Sequence, residues 1–178
     1  MKIIGIDPGH LGGIVIIDDN SVVLEAYPMP LVGDTYDYHK MLQLFIDNKD
    51  SKVAIEKVGF MGVATANGIA DLCYHAGVLY GLALSCCMPV ILVPPAIWKK
   101  KIGLPPIGIT RAVKGETAAE KKSREQSNSA LKRKAKTYSI EFAIRTMPSL
   151  VNKVTKVTDG IAEAALIAEY ARRSILPE

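Results

Sequence analysis

The first third of the chain is written in short apolar runs with polar punctuation, and the remainder largely in helical stripes. Residues 2–7, 13–18 and 22–27 are three runs rich in Ile and Val, joined by short turns and closed by Pro28 and Pro30. Runs of this length and composition predict three strands in a meander. Over 36–48 the apolar positions Met41, Leu44 and Phe45 take helical spacing. Lys52-Val53-Ala54-Ile55-Glu56 is a short apolar strand that ends on a carboxylate. Residues 67–87 place Ile69, Leu72, Cys73, Ala76, Leu79, Tyr80 and Ala83 on one helical stripe. A fifth strand follows at 89–93, closed by Pro94 and Pro95. A short helix is expected at 138–147, ended by Pro148, and an Ala-rich helix at 159–175. Three meandering strands followed by β-α-β alternation give an α/β protein: a mixed five-stranded sheet, three strands antiparallel and then parallel ones, flanked by helices.

Between 102 and 136 the apolar pattern dissolves. Pro105, Pro106, Gly108 and Gly115 lead into a run of Lys, Arg, Ser and Asn. It reads as a flexible basic insertion, with some helix from Glu116 onwards, within a single domain spanning 1–178. The formal net charge of +4 hides this asymmetry. Residues 99–136 carry 12 Lys or Arg against Glu116, Glu120 and Glu125, a net of +9, which leaves −5 on the rest of the chain. An acidic body with one concentrated basic segment points to a polyanionic partner, although many charge runs are only solvated surface.

With 49% hydrophobic and 22% charged residues the chain has the composition of a soluble globular domain, with no apolar run long enough to cross a bilayer and no signal-peptide pattern. Cys73, Cys86 and Cys87 have no metal-ligand spacing and read as reduced core thiols, which implies a cytoplasmic compartment.

The chemistry lies in the acids. Asp7 ends the first strand and leads into the turn Pro8-Gly9-His10-Leu11-Gly12-Gly13, whose glycines let a bulky ligand such as a phosphate backbone approach. Asp before Pro-Gly also serves simply to cap a turn. Glu56 ends another strand, and Asp159 opens the last helix, where an N-cap role is the alternative. If the two strands are neighbours, Asp7 and Glu56 converge at one sheet edge. Carboxylates gathered at one point repel unless divalent cations neutralise them, and oxygen ligands suit Mg²⁺ or Mn²⁺. Two such ions activate water and stabilise the leaving oxygen in phosphodiester cleavage. No Ser-His-Asp triad, Walker loop or zinc site is present.

Several segments, in this order, carry a resemblance: Gly5-Ile6-Asp7-Pro8-Gly9; Ala54-Ile55-Glu56 followed by Phe60-Met61; Ala76-Gly77-Val78-Leu79-Tyr80-Gly81; Met88-Pro89-Val90; Trp98-Lys99-Lys100; and Asp159-Gly160-Ile161-Ala162-Glu163-Ala164-Ala165-Leu166-Ile167-Ala168. In this set the sequence resembles the RuvC family of Holliday-junction resolvases, within the ribonuclease H-like superfamily, and its compact closing motif is similar to divergent phage-like members. The resemblance implies a ribonuclease H-like fold and a metal-dependent crossover junction endonuclease of DNA recombination and repair. It also implies a homodimer, since paired symmetric nicks in a four-way junction need two sites related by a two-fold axis.

Carried over, Asp7, Glu56 and Asp159 would be catalytic ligands of two Mg²⁺ or Mn²⁺ ions. The family's usual fourth acid or His, three residues before the last Asp, is here Lys156. Either Glu163, one helical turn beyond Asp159, completes the ligand set, or Lys156 meets the phosphate electrostatically. Phe60 would stack on an unpaired base or anchor its loop. Lys99, Lys100 and Lys101 would bind phosphates or end a helix in solvent, and Lys121, Lys122, Arg124, Lys132 and Arg133 are further candidate DNA contacts. Trp98 reads as a core plug, and His10 as a loop residue near the Asp7 turn. Gly77 and Gly81 allow close helix packing, inside the domain or across a dimer interface. A related nuclease of other branched DNA or RNA/DNA hybrids, and a non-catalytic DNA-binding module, are the alternatives. An actin-like ATPase would need a second copy of the fold.

Overall fold

A computed structural model describes residues 1–58 and 66–175. β1 (Lys2–Asp7), β2 (Gly13–Asp18) and β3 (Val23–Pro28) form the meander, followed by a minimal hairpin of β4 (Leu31–Val32) and β5 (Thr35–Tyr36). Then come α1 (Tyr38–Asp47), β6 (Ser51–Glu56), α2 (Ala66–Ser85), β7 (Val90–Val93), α3 (Pro95–Ile102), α4 (Ala118–Thr146) and α5 (Asp159–Ile175). The main sheet has the order β3-β2-β1-β6-β7. β1 pairs antiparallel with β2 and parallel with β6, which pairs parallel with β7. This is the mixed sheet expected from the hydrophobic pattern.

Alternation along the central strands divides the side chains between two cores. Ile4, Ile6, Ile14, Ile16, Val53 and Ile55 pack with Met41 and Phe45 of α1 and Leu79 of α2. Ile3, Val15, Ile17 and Ala54 pack on the opposite face with α5, Ala143 of α4 and Trp98 of α3. Strands covered on both faces read as continuous apolar runs, which is why β1, β2 and β6 stand out in the sequence. Helix α5 presses directly on β1. A Cβ on Gly5 would lie 2.1 Å from the Ala164 carbonyl oxygen. Glycine on the strand and alanine on the helix therefore set this spacing.

The helix expected from Glu116 onwards is present, but the flexible character expected of 102–136 is corrected over much of its length. A single 29-residue helix, α4, begins at Ala118 and absorbs the shorter helix expected at 138–147. Its start is a capping box: the Glu120 amide donates to Thr117 Oγ1 at 3.3 Å, and the Thr117 amide donates to Glu120 Oε2 at 2.8 Å. Within α4 only Asn128, Ser139 and Ala143 are buried. A helix so exposed carries no apolar stripe, so periodicity could not reveal it. The Asn128 amide accepts from the Thr110 N–H at 3.0 Å and donates to the Thr110 carbonyl at 2.9 Å, fastening the preceding loop to the helix.

The expectation of core cysteines is also corrected. Cys73 is exposed on the outer face of α2, whose inner face carries His75, Ala76, Leu79 and Ala83. Cys87 is exposed in the turn after α2, at a φ of 55°. Among the described residues, no helix is long and apolar enough to cross a membrane.

Candidate active site

The parallel pairing of β1 with β6 runs through Ile6 opposite Ile55, so Asp7 and Glu56 leave adjacent strands at the same edge. By alternation both side chains share the face of Gly5 and Ala54, against which α5 packs. Helix α5 reaches them through a second close approach. A Cβ on Gly160 would lie 2.1 Å from the Leu11 carbonyl oxygen, so only glycine lets the start of α5 dock onto the turn after Asp7. Thr158, not Asp159, caps this helix: its Oγ1 accepts from the Ile161 N–H at 3.3 Å and its carbonyl from the Ala162 N–H at 2.9 Å. Asp159 is thus relieved of capping and opens the helix with its carboxylate beside Lys136, whose Nζ is 2.5 Å away.

Asp7 feels the charges of Glu163 and Asp159, and Glu56 those of Glu163 and Asp7. Burial raises the Asp7 carboxyl from 3.8 to about 6, and Glu163 and Asp159 push it the same way, against the Gly9 N–H and Lys99. The Gly9 N–H donates to Asp7 Oδ1 at 3.2 Å. Burial lifts Glu56 to about 7, with Lys99 opposing and Glu163 and Asp7 adding to the rise. Trp98 is fully buried and donates from Nε1 to Glu56 Oε2 at 2.8 Å. It is the expected core plug, with a polar tip that orients the glutamate.

Lys99 and Lys136 are the cations of this centre. Lys99 Nζ holds both Glu163 oxygens, at 2.9 and 3.0 Å. Lys136, in the sixth turn of α4, is not singled out by the sequence, since no local pattern ties it to a helix that begins 23 residues later. With the carboxylates turned to these ammonium groups, no three His, Cys, Asp or Glu side chains among the described residues converge to hold one ion. The donor chemistry nevertheless fits hard divalent cations. All four groups offer oxygen, and two, Asp7 and Glu56, have pKa values raised to about 6 and about 7 by burial and then by neighbouring carboxylates, penalties that a bound cation would offset.

The other candidates are dispersed. Lys156 lies in the exposed bend before α5, and among the described residues no hydrogen bond or ion pair joins it to the four carboxylates. Lys100 is exposed on α3, while Lys101 turns to Ser174, 3.4 Å away, and lies 5.7 Å from the centre of the Tyr170 ring. Lys121, Lys122, Lys132 and Arg133 line the exposed surface of α4. Arg124 is engaged by Glu116 at 2.6 and 2.9 Å. Phe60 lies outside the described residues. His10 contacts the Asp34 carbonyl at 3.1 Å and sets its ring edge-on against Tyr36. Gly77 and Gly81 face open space among the described residues.

No protein-family model and no curated protein matches the sequence. Solved structures do. The chain is similar to Thermus thermophilus RuvC in complex with a Holliday junction substrate, with a TM-score of 0.64 and 15% identity over 99% of this chain and 96% of that one. A second Thermus thermophilus RuvC structure matches with a TM-score of 0.60 and 15% identity, over 98% of this chain and 96% of that one. At that identity the likeness speaks for architecture alone, and the mixed five-stranded sheet with its flanking helices is the RuvC-type, ribonuclease H-like fold.

Proposed function

We propose that the protein is a structure-selective DNA endonuclease that resolves four-way junctions by metal-dependent phosphodiester hydrolysis. The observation that carries the reading is the gathering of Asp7, Glu56, Asp159 and Glu163 at the carboxyl end of β1 and β6, with two of them held near neutrality. Carboxyls perturbed by burial together with neighbouring charges are a mark of functional sites. The likeness to a RuvC bound to a Holliday junction supports the choice of substrate.

Asp7, Glu56, Asp159 and Glu163 would hold Mg²⁺ or Mn²⁺, two ions per site, which supply water activation and charge neutralisation at the leaving oxygen. The chain's own contribution is positional. The Gly9 N–H fixes Asp7, and Trp98 fixes Glu56. Helix α5 brings Asp159 and Glu163 to the same place one turn apart, Asp159 at the end where the helix dipole favours negative charge. Lys99 and Lys136 neutralise these two acids without metal and stand ready to meet substrate phosphates. The basic surface of α4 provides sequence-independent attraction to the DNA backbone.

A homodimer fits the exposed face of α2, where Tyr74 and Leu84 flank Gly77 and Gly81 and nothing among the described residues covers the glycines. Such a face lets a second copy approach closely and present two cutting sites.

The reading is tested by Asp7→Asn, Glu56→Gln and Asp159→Asn. Each should abolish cleavage of a synthetic four-way junction while junction affinity, measured by gel shift without divalent ions, stays within a few-fold of wild type. Ordinary turnover by any one variant would remove that residue from the site.

A further inference from the structure

Beyond the turn that follows Asp7, a cavity of about 710 Å³ opens between that turn, the β4–β5 hairpin and the first turns of α1 and α2. Its aromatic side chains are Tyr36, Tyr38 and Tyr74, and its carboxylates are Asp34 and Asp71. Among the described residues, neither Lys nor Arg lines it. Tyr74 is 69% exposed, and both acids are exposed as well, so the charged and aromatic groups are open to a ligand.

The wall is held from behind. His75 of α2 is fully buried and stacks on Tyr36, with ring centres 3.4 Å apart and planes within 8° of parallel. Its centre is 5.6 Å from that of Tyr38, and the two tyrosine rings are 6.1 Å apart. His10 sets its edge against Tyr36 and touches the Asp34 carbonyl, which ties the turn after β1 to the hairpin. Burial, with His10 adding, lowers the His75 pKa to about 4, so the stacked ring is neutral at physiological pH. The Tyr36 phenol is pushed up by burial first and then by Tyr38, Asp71 and Asp7, so the field of the acids reaches the wall.

Aromatic rings present negative faces, and the two carboxylates add to the same potential. Among the described residues, no three His, Cys, Asp or Glu side chains gather here to hold a metal ion. Rings and acids without a competing base match a cation whose charge is spread over apolar surface and is weakly hydrated. The volume lies within the usual range for small-ligand sites.

We propose that this cavity binds an organic cation, an alkylammonium or guanidinium group set against the Tyr38 and Tyr74 rings and balanced by Asp34 and Asp71. A free polyamine and a Lys or Arg side chain of a basic protein segment present the same chemistry. The site is distinct from the carboxylate centre and does not depend on the nuclease reading.

The test is isothermal titration calorimetry of the full chain at low salt in EDTA, with spermidine as one probe and a short Arg-rich peptide as the other. Wild type should bind at least one of them saturably. Tyr74→Ala should weaken that binding roughly 2–30-fold, the range of one cation–π contact, whereas Tyr74→Phe keeps the ring and should bind like wild type. Asp71→Asn should weaken it by up to about 5-fold, and this loss should shrink as salt rises. Both positions are exposed, and circular dichroism melts check that the variants fold. Binding of spermidine alone assigns the site to a free polyamine, and binding of the peptide assigns it to a basic segment; either upholds the cation site. A wild type that binds neither probe would overturn the proposal. So would undiminished binding by Tyr74→Ala and Asp71→Asn, which would place the cation elsewhere, or a Tyr74→Phe variant as weak as Tyr74→Ala.

Discussion

Replacing Asp7 by Asn should stabilise the metal-free protein, and only at neutral or higher pH. The folded protein holds the Asp7 proton up to about pH 6, whereas an ordinary Asp releases it near 3.8. Below pH 3.8 both folded and unfolded chains are protonated and the site costs nothing. As the pH rises toward 6 the unfolded chain gives up its proton first, so stability falls, and above 6 the loss is complete. At about 1.4 kcal/mol per pH unit, the interval corresponds to about 3 kcal/mol. Asn is neutral throughout and its side-chain oxygen can still accept the Gly9 N–H, so the variant escapes the loss. For a chain of this size, about 3 kcal/mol raises the midpoint of unfolding by about 6–12 °C. Thermal melts followed by circular dichroism in EDTA at pH 8 and pH 4 measure this. The expected gain at pH 8 should shrink to nearly nothing at pH 4. Saturating Mg²⁺ or Mn²⁺ should reverse the order by stabilising wild type more than the variant. A variant no more stable than wild type at pH 8, or equally stabilised at both pH values, would refute the argument that burial and neighbouring acids penalise the ionised Asp7.

Glu163→Gln should slow junction cleavage by roughly 10²-fold or more, partly rescued by higher Mn²⁺, whereas Lys156→Ala should change the rate less than about tenfold, as measured by single-turnover nicking. The opposite ranking would move the fourth group to Lys156. At the other end of α5, burial would raise the Glu169 carboxyl, but hydrogen bonds from Arg172, Ser21 and Arg173 outweigh it and hold the group at about 2. A depressed carboxyl contributes stability above 4.5 that is lost as the pH falls toward 2, so Glu169→Gln should cost about 3 kcal/mol at pH 7 in urea unfolding and progressively less below pH 4.

Burial explains what the sequence reveals and what it conceals. β1, β2 and β6 are covered on both faces, so their Ile and Val runs are unmistakable, and the carboxylates at two of their ends stand out against them. The register of α5 follows from its alanines, which places Glu163 on the face of Asp159. Helix α4 escapes because so little of it is buried; capping chemistry at Thr117 and Glu120, together with helix-forming Ala, Glu and Lys, was the only local signal. The contacts of Trp98 with Glu56, Lys99 with Glu163 and Lys136 with Asp159 join elements distant in the chain, and no periodicity specifies where a side chain's tip ends. Cys73 was placed inside because its position borders the apolar stripe of α2; the helix is turned so that this edge meets solvent.

The central claim is met most directly by mapping nicks. Wild-type protein is incubated with an end-labelled four-way junction and with linear duplex of the same sequence, each in EDTA, Mg²⁺ or Mn²⁺. The account predicts cuts only with divalent ions, only in the junction, and at symmetric positions in two strands of like polarity. Metal-independent cutting, or duplex cut as readily as junction, would contradict it.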